Sequence, residues 1–129
     1  MRNTWSIFLG AAVAMAMVAG AANAAEIRVK CEQRVKDGAP ERSRVSVDAK
    51  NLDGLGDPYT AQIMSGANAA NSGDLVLIQD EVEADFDSNE NNVAAGATEI
   101  PANFVQVSVT AKIVDADGFT VVADTVSCK

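Results

Sequence analysis

The sequence contains no histidine. That absence removes Ser-His and Cys-His nucleophilic pairs, and ligation of a metal by imidazole, from the chemistry open to the chain. No Gly-x-Ser-x-Gly elbow, glycine-rich phosphate loop or dinucleotide fingerprint occurs either. Aromatic residues amount to 5%, and beyond residue 24 only Tyr59, Phe86, Phe104 and Phe119 remain, too few to fill a core and also stack on a sugar. Positive charge is scarce, with 10 Lys and Arg against 18 Asp and Glu and a net charge of −8. This balance repels nucleic acid and anionic lipid, and no basic cluster is long enough to reverse it. There are two cysteines, in no Cys-x-x-Cys spacing, so a redox pair is not indicated.

What is present begins with an exported chain's leader. MRNTWSIFLGAAVAMAMVAGAANA carries one cation, Arg2, then an uncharged apolar run from Ile7 to Val18, then Ala22-Asn23-Ala24, the small-x-small form that a signal peptidase reads. Cleavage is expected after Ala24. The alanine and glycine content makes the segment a weak membrane span, so no membrane attachment is expected once it is removed. No cysteine stands at the cleavage point and no second arginine follows Arg2, which argues against a lipoprotein or a twin-arginine route. The expected protein is periplasmic or secreted, with a single domain over residues 25–129 and a net charge of −9 after loss of Arg2. In that setting Cys31 and Cys128 are expected to form one disulfide closing nearly the whole mature chain, contributing about 4–5 kcal/mol through loop entropy.

The periodicity of the mature chain is two. In EIRVKCEQRVK, Ile27, Val29, Cys31 and Val35 alternate with Arg28, Lys30, Glu32, Arg34 and Lys36, so one face is buried and the other wet. RSRVSVDAK repeats the pattern with Val45, Val47 and Ala49 inside, and Tyr59, Ala61 and Ile63 mark a third strand. SGANAANSG, residues 65–73, reads as a loop, DLVLIQ, residues 74–79, as a strand, and residues 94–101 as a loop. FVQVSVTAKIV alternates through Val105, Val107, Val109, Ala111 and Ile113 and turns at Asp117-Gly118. A two-residue turn there places Ile113 opposite Val122, Val109 opposite Val126 and Val107 opposite Cys128, with Asp124 facing inward. A three-residue turn would instead bury Phe119, Val121 and Ala123 unless a bulge near Asp124 resets the alternation. About seven such strands without a helix predict an all-β fold, a small antiparallel β-sandwich, loosely immunoglobulin-like, whose disulfide joins the N- and C-terminal strands.

The stretch DEVEADFDSNENN, residues 80–92, carries the candidate site. Glu81, Glu83, Asp85 and Asp87 share one face of a strand whose other face holds Val82, Ala84 and Phe86, and they form a candidate partner face. Asp85, Asp87 and Asn89 match the first three ligand positions of a calcium loop. The sixth position is Glu90 rather than Gly and the twelfth is Gly96 rather than Glu, so an EF-hand is excluded and only a looser calcium site is open. The wet face of the first strand carries Arg28, Lys30, Arg34 and Lys36. If it neighbours the acidic strand, weak cross-strand ion pairs result; if the two lie apart, one molecule's basic face can meet another's acidic face, which makes self-association an option. The functional expectation is a non-enzymatic binding or structural module, without a cofactor, for a protein or other envelope component. A calcium-binding sandwich is the alternative, and a small carboxylate-dependent hydrolase the third reading.

Overall fold

The computed structural model describes residues 24–129. The expected leader therefore lies outside the described residues, apart from Ala24. The alternating segments form strands β1 (Glu26–Lys36) and β2 (Ala39–Lys50), joined by Asp37 and Gly38. Both joining residues have positive φ, 54° and 78°, which is the backbone of a two-residue type I′ turn. Then come β3 (Thr60–Ser65), β4 (Asn68–Asn71), β5 (Val82–Asp87), helix α1 (Glu90–Ala94), β6 (Thr98–Glu99), β7 (Ser108–Val114) and β8 (Thr120–Ser127).

Two four-stranded sheets result, ordered β1-β2-β5-β6 and β4-β3-β7-β8, with every pairing antiparallel except β5 with β6. The connections from β2 to β3, from β4 to β5 and from β6 to β7 each change sheet. The result is a β-sandwich, with β2–β5 central in one sheet and β3–β7 in the other. Residues of period two fill the space between: Val45, Val47 and Ala49 from β2, Val82, Ala84 and Phe86 from β5, Ala61 and Ile63 from β3, and Val109, Ala111 and Ile113 from β7 are all buried.

Cys31 and Cys128 are bonded, with Cα atoms 4.9 Å apart. The bond closes the side of the sandwich where β1 and β8 are the edge strands. Two backbone hydrogen bonds flank it, from Gln33 N to Lys129 O (2.9 Å) and from Lys129 N to Cys31 O (3.2 Å). The terminal residues thus stitch one sheet to the other.

Local expectations fail where composition outweighed pairing. Residues 65–73 are not simply a loop: β3 turns at Gly66 and returns as β4. Residues 74–79 are not a strand. Leu75 N bonds to Tyr59 O (2.8 Å), and Leu75 and Leu77 lean on the core, while Val76 and Ile78 stay exposed. The segment then turns tightly, with Gln79 at φ 60° between Ile78 and Glu81, which bridge each other. Helix α1 was not expected; Asn89 starts it, its side chain accepting from Asn91 N and Asn92 N. Within the loop expected over residues 94–101, Thr98 and Glu99 form the short strand β6.

The β7–β8 turn is the longer one. Asp115 N bonds to Phe119 O (2.9 Å) and Gly118 N to Asp115 O (3.0 Å), leaving three residues in the turn, with Gly118 at φ 91°. A shift of register between Ile113 and Val114 then restores the pairs Ile113–Val122, Ala111–Asp124 and Val109–Val126. The resetting bulge thus lies next to the turn, not at Asp124. Asp124 needs no buried partner because β8 is an edge strand and the residue is exposed. Val107 is also exposed, although its carbonyl accepts from Cys128 N (2.9 Å), the partner expected for it.

Candidate functional site

The side of the β1-β2-β5 sheet turned away from the core carries charge of both signs in rows set by strand register. Arg28 stands beside Asp48 and Asp48 beside Glu83; the next row runs Lys30, Ser46, Asp85, and the next Glu32, Arg44, Asp87. The basic strand and the acidic strand are thus neither adjacent nor remote. They flank β2 in one sheet, two strand spacings or about 9.6 Å apart. Among the described residues the ion pairs are Arg42–Asp87, Arg44–Asp87 and Lys50–Glu26. Arg28, Lys30, Glu83 and Asp85 are all exposed, and none of them belongs to one of those pairs. The face forms a shallow groove of about 720 Å³, extended on the basic side by Lys129 at the end of the chain.

Asp87 keeps the face that the alternation assigns it but is not open to solvent there. It is 1% exposed, covered by the turn that leads into α1. Its carboxylate accepts from Arg42 Nε (2.9 Å) and Nη2 (2.6 Å), Asn92 Nδ2 (2.7 Å) and Asn89 N (2.9 Å). Burial pushes its pKa up, but the Arg42 and Asn92 side chains and the Asn89 N–H outweigh that and hold it far below the ordinary carboxylate range. Asn89 spends its own side-chain oxygen on capping α1. Of the three residues expected to ligate calcium, the structure therefore leaves only Asp85 facing solvent, where it accepts from Ser46 Oγ (3.0 Å).

A different trio converges one row away. Asp48, Glu81 and Glu83 each offer a carboxylate oxygen, all within 4.8 Å of one another. Among the described residues Asp48 Oδ1 is buried without a hydrogen-bond donor. The adjacent Asp48 carboxylate, partial burial, and the charges of Glu83 and Asp80 raise the pKa of Glu81. Three hard oxygen donors at that separation suit a calcium ion, with waters or carbonyls completing its shell. Glu81 and Glu83 were legible as candidates from the acidic stretch. Asp48 was not, because only the β2–β5 pairing brings it to them; nor was Arg42, the partner that withdraws Asp87.

The class defined by fold and site is an all-β sandwich, closed by one disulfide, with a bipolar charged sheet face. No protein-family model matches the sequence, and neither a curated protein nor a solved structure matches the chain.

Proposed function

We propose that the protein is an exported, non-catalytic binding module of the periplasm or cell surface, and that it engages its partner through the outer face of β1, β2 and β5. The observation that carries this reading is the pair of rows Arg28–Asp48–Glu83 and Lys30–Ser46–Asp85, where exposed cations and carboxylates are held apart by one strand. Exposed charges that form no ion pair among the described residues favour an outside partner of complementary pattern and speed its encounter. The disulfide fits an oxidising compartment. No helix among the described residues is long and apolar enough to cross a membrane. The test is chemical crosslinking in intact envelopes, comparing the wild type with the charge reversal Arg28→Glu/Lys30→Glu. Loss of the wild-type adducts supports the reading; adducts unchanged by the reversal reject it.

A second reading is favoured by the unpartnered Asp48 Oδ1: calcium held by Asp48, Glu81 and Glu83. Bound calcium would neutralise the mutual repulsion of these groups and stabilise the fold by mass action. Calcium is expected to raise the melting temperature of the wild type and not that of Asp48→Asn/Glu83→Gln. A calorimetric titration without heat at about millimolar calcium, the weak end of protein calcium sites, removes this reading.

A further inference from the structure

We infer that the partner of the bipolar face is a second copy of the chain, bound face to face about a twofold axis parallel to β2. The inference rests on the reading of this face as the binding surface. It follows from the order of the strands. The basic strand β1 and the acidic strand β5 lie on opposite sides of β2 with their charges in the same rows. Rotation by half a turn about an axis along β2 exchanges the two sides without moving the rows. Arg28 of one copy then meets Glu83 of the other, and Lys30 meets Asp85; by symmetry each contact occurs twice. An axis across the strands would set β1 against β1 and β5 against β5, like charge on like, so the pattern selects one of the two orientations. A head-to-tail array, the other way to join a basic to an acidic surface, requires the two charges on separate faces, which this sheet does not provide.

The symmetry also brings each β2 residue against its own counterpart. Arg44 is shielded there by Asp87 of its own chain, 3.9 Å away. Asp48 has no such cation among the ion pairs of the described residues, so Asp48 facing Asp48 is the discordant contact at the axis. A face three strands wide with exposed ion pairs belongs to the class of weak, salt-sensitive associations.

The test is sedimentation of the exported, disulfide-intact protein at low and high salt with charge-swapped variants. The wild type is expected to approach twice the monomer mass at about 0.02 M salt and to dissociate at about 1 M, where charges are screened within about 3 Å. Arg28→Glu/Lys30→Glu alone and Glu83→Lys/Asp85→Lys alone are each expected to weaken association at least about tenfold. Mixed together, these two variants restore all four contacts and are expected to associate with each other. Asp48→Asn is expected to tighten the wild-type dimer. A wild type that stays monomeric up to about 1 mM, the weak limit of specific binding, overturns the inference. So does a dimer that survives either charge reversal, or a mixture that fails to associate. Monomeric protein whose envelope crosslinks are still abolished by Arg28→Glu/Lys30→Glu would leave the binding-face reading standing and remove only the self-pairing.

Discussion

At the scale of single residues, two carboxyl groups at opposite ends of β5 respond to pH in opposite senses. Asp87 in the folded protein binds its proton far more weakly than in the unfolded chain, so the stability it contributes is fully present above the ordinary Asp value of about 3.9 and is lost as pH falls below it. Glu81 binds its proton more tightly when folded, because of Asp48, so its cluster costs stability at neutral pH and is relieved as pH falls towards the ordinary Glu value of about 4.3. Stability of the metal-free protein is therefore expected to rise on mild acidification from neutral pH and to fall steeply below about pH 4. Denaturant melts across pH check this. Asp48→Asn should flatten the rise and leave the acid fall intact, whereas Asp87→Asn should do the reverse. Asp87→Ala strands a half-buried Arg42 and releases Asn92 and the Asn89 N–H together, and a loss of about 3 kcal/mol is expected at neutral pH. A loss below about 1 kcal/mol, the range of an exposed pair, would mean that Arg42 finds water instead.

At the scale of elements, two Asp-Gly pairs built two different hairpins. Asp37-Gly38 makes the two-residue turn between β1 and β2. Asp117-Gly118 instead ends a three-residue turn, because Asp115 intervenes: its Oδ1 accepts from Asp117 N (3.0 Å) and Phe119 N (2.9 Å). Asp115→Ala removes both bonds and is expected to destabilise by about 1–2 kcal/mol. Loss of amide protection from hydrogen exchange is expected first at Thr120–Val122, with the β1–β2 turn unchanged. Uniform loss across both hairpins would contradict the local role. The contrast shows what a single sequence makes legible. Strict alternation identified β1, β2, β3, β5, β7 and β8 because a half-buried strand needs it. The run 74–79 misled because Leu75 and Leu77 reach the core from an irregular backbone, with no ladder on either side. Strand β4 was hidden in small polar residues, since a four-residue edge strand buries little and is specified by its pairing with β3. The site followed the same logic. The acidic side was visible in the 80–92 stretch, but the withdrawal of Asp87 and the arrival of Asp48 depend on contacts between residues 45 and 33 positions apart.

At the scale of the whole molecule, the disulfide is the constraint that makes the edge strands of the two sheets one object. Among the described residues β8 pairs only with β7, and β1 only with β2. Between them stand the Cys31–Cys128 bond and the two Lys129 hydrogen bonds. The bond closes a loop of sequence separation 97, for which chain entropy gives about 4.7 kcal/mol. A domain of this size has a net stability of about 5–15 kcal/mol, so the bond can decide whether the fold persists. With a urea dependence of about 2 kcal/mol per molar, Cys31→Ser/Cys128→Ser is expected to lower the unfolding midpoint by about 2 M. Reduction of the wild type should match it, and added reductant should not move the variant further. The folded variant should still bury its core, because Val45, Val47, Ile63 and Ile113 belong to one buried cluster drawn from both sheets. Exchange should open instead along β8 and the first half of β1, where no third neighbour holds the edge. A midpoint shift below about 0.5 M, or opening that begins at β5 and β3, would place the stability of the sandwich in its central strands alone and leave the stitch between its edges with no structural role.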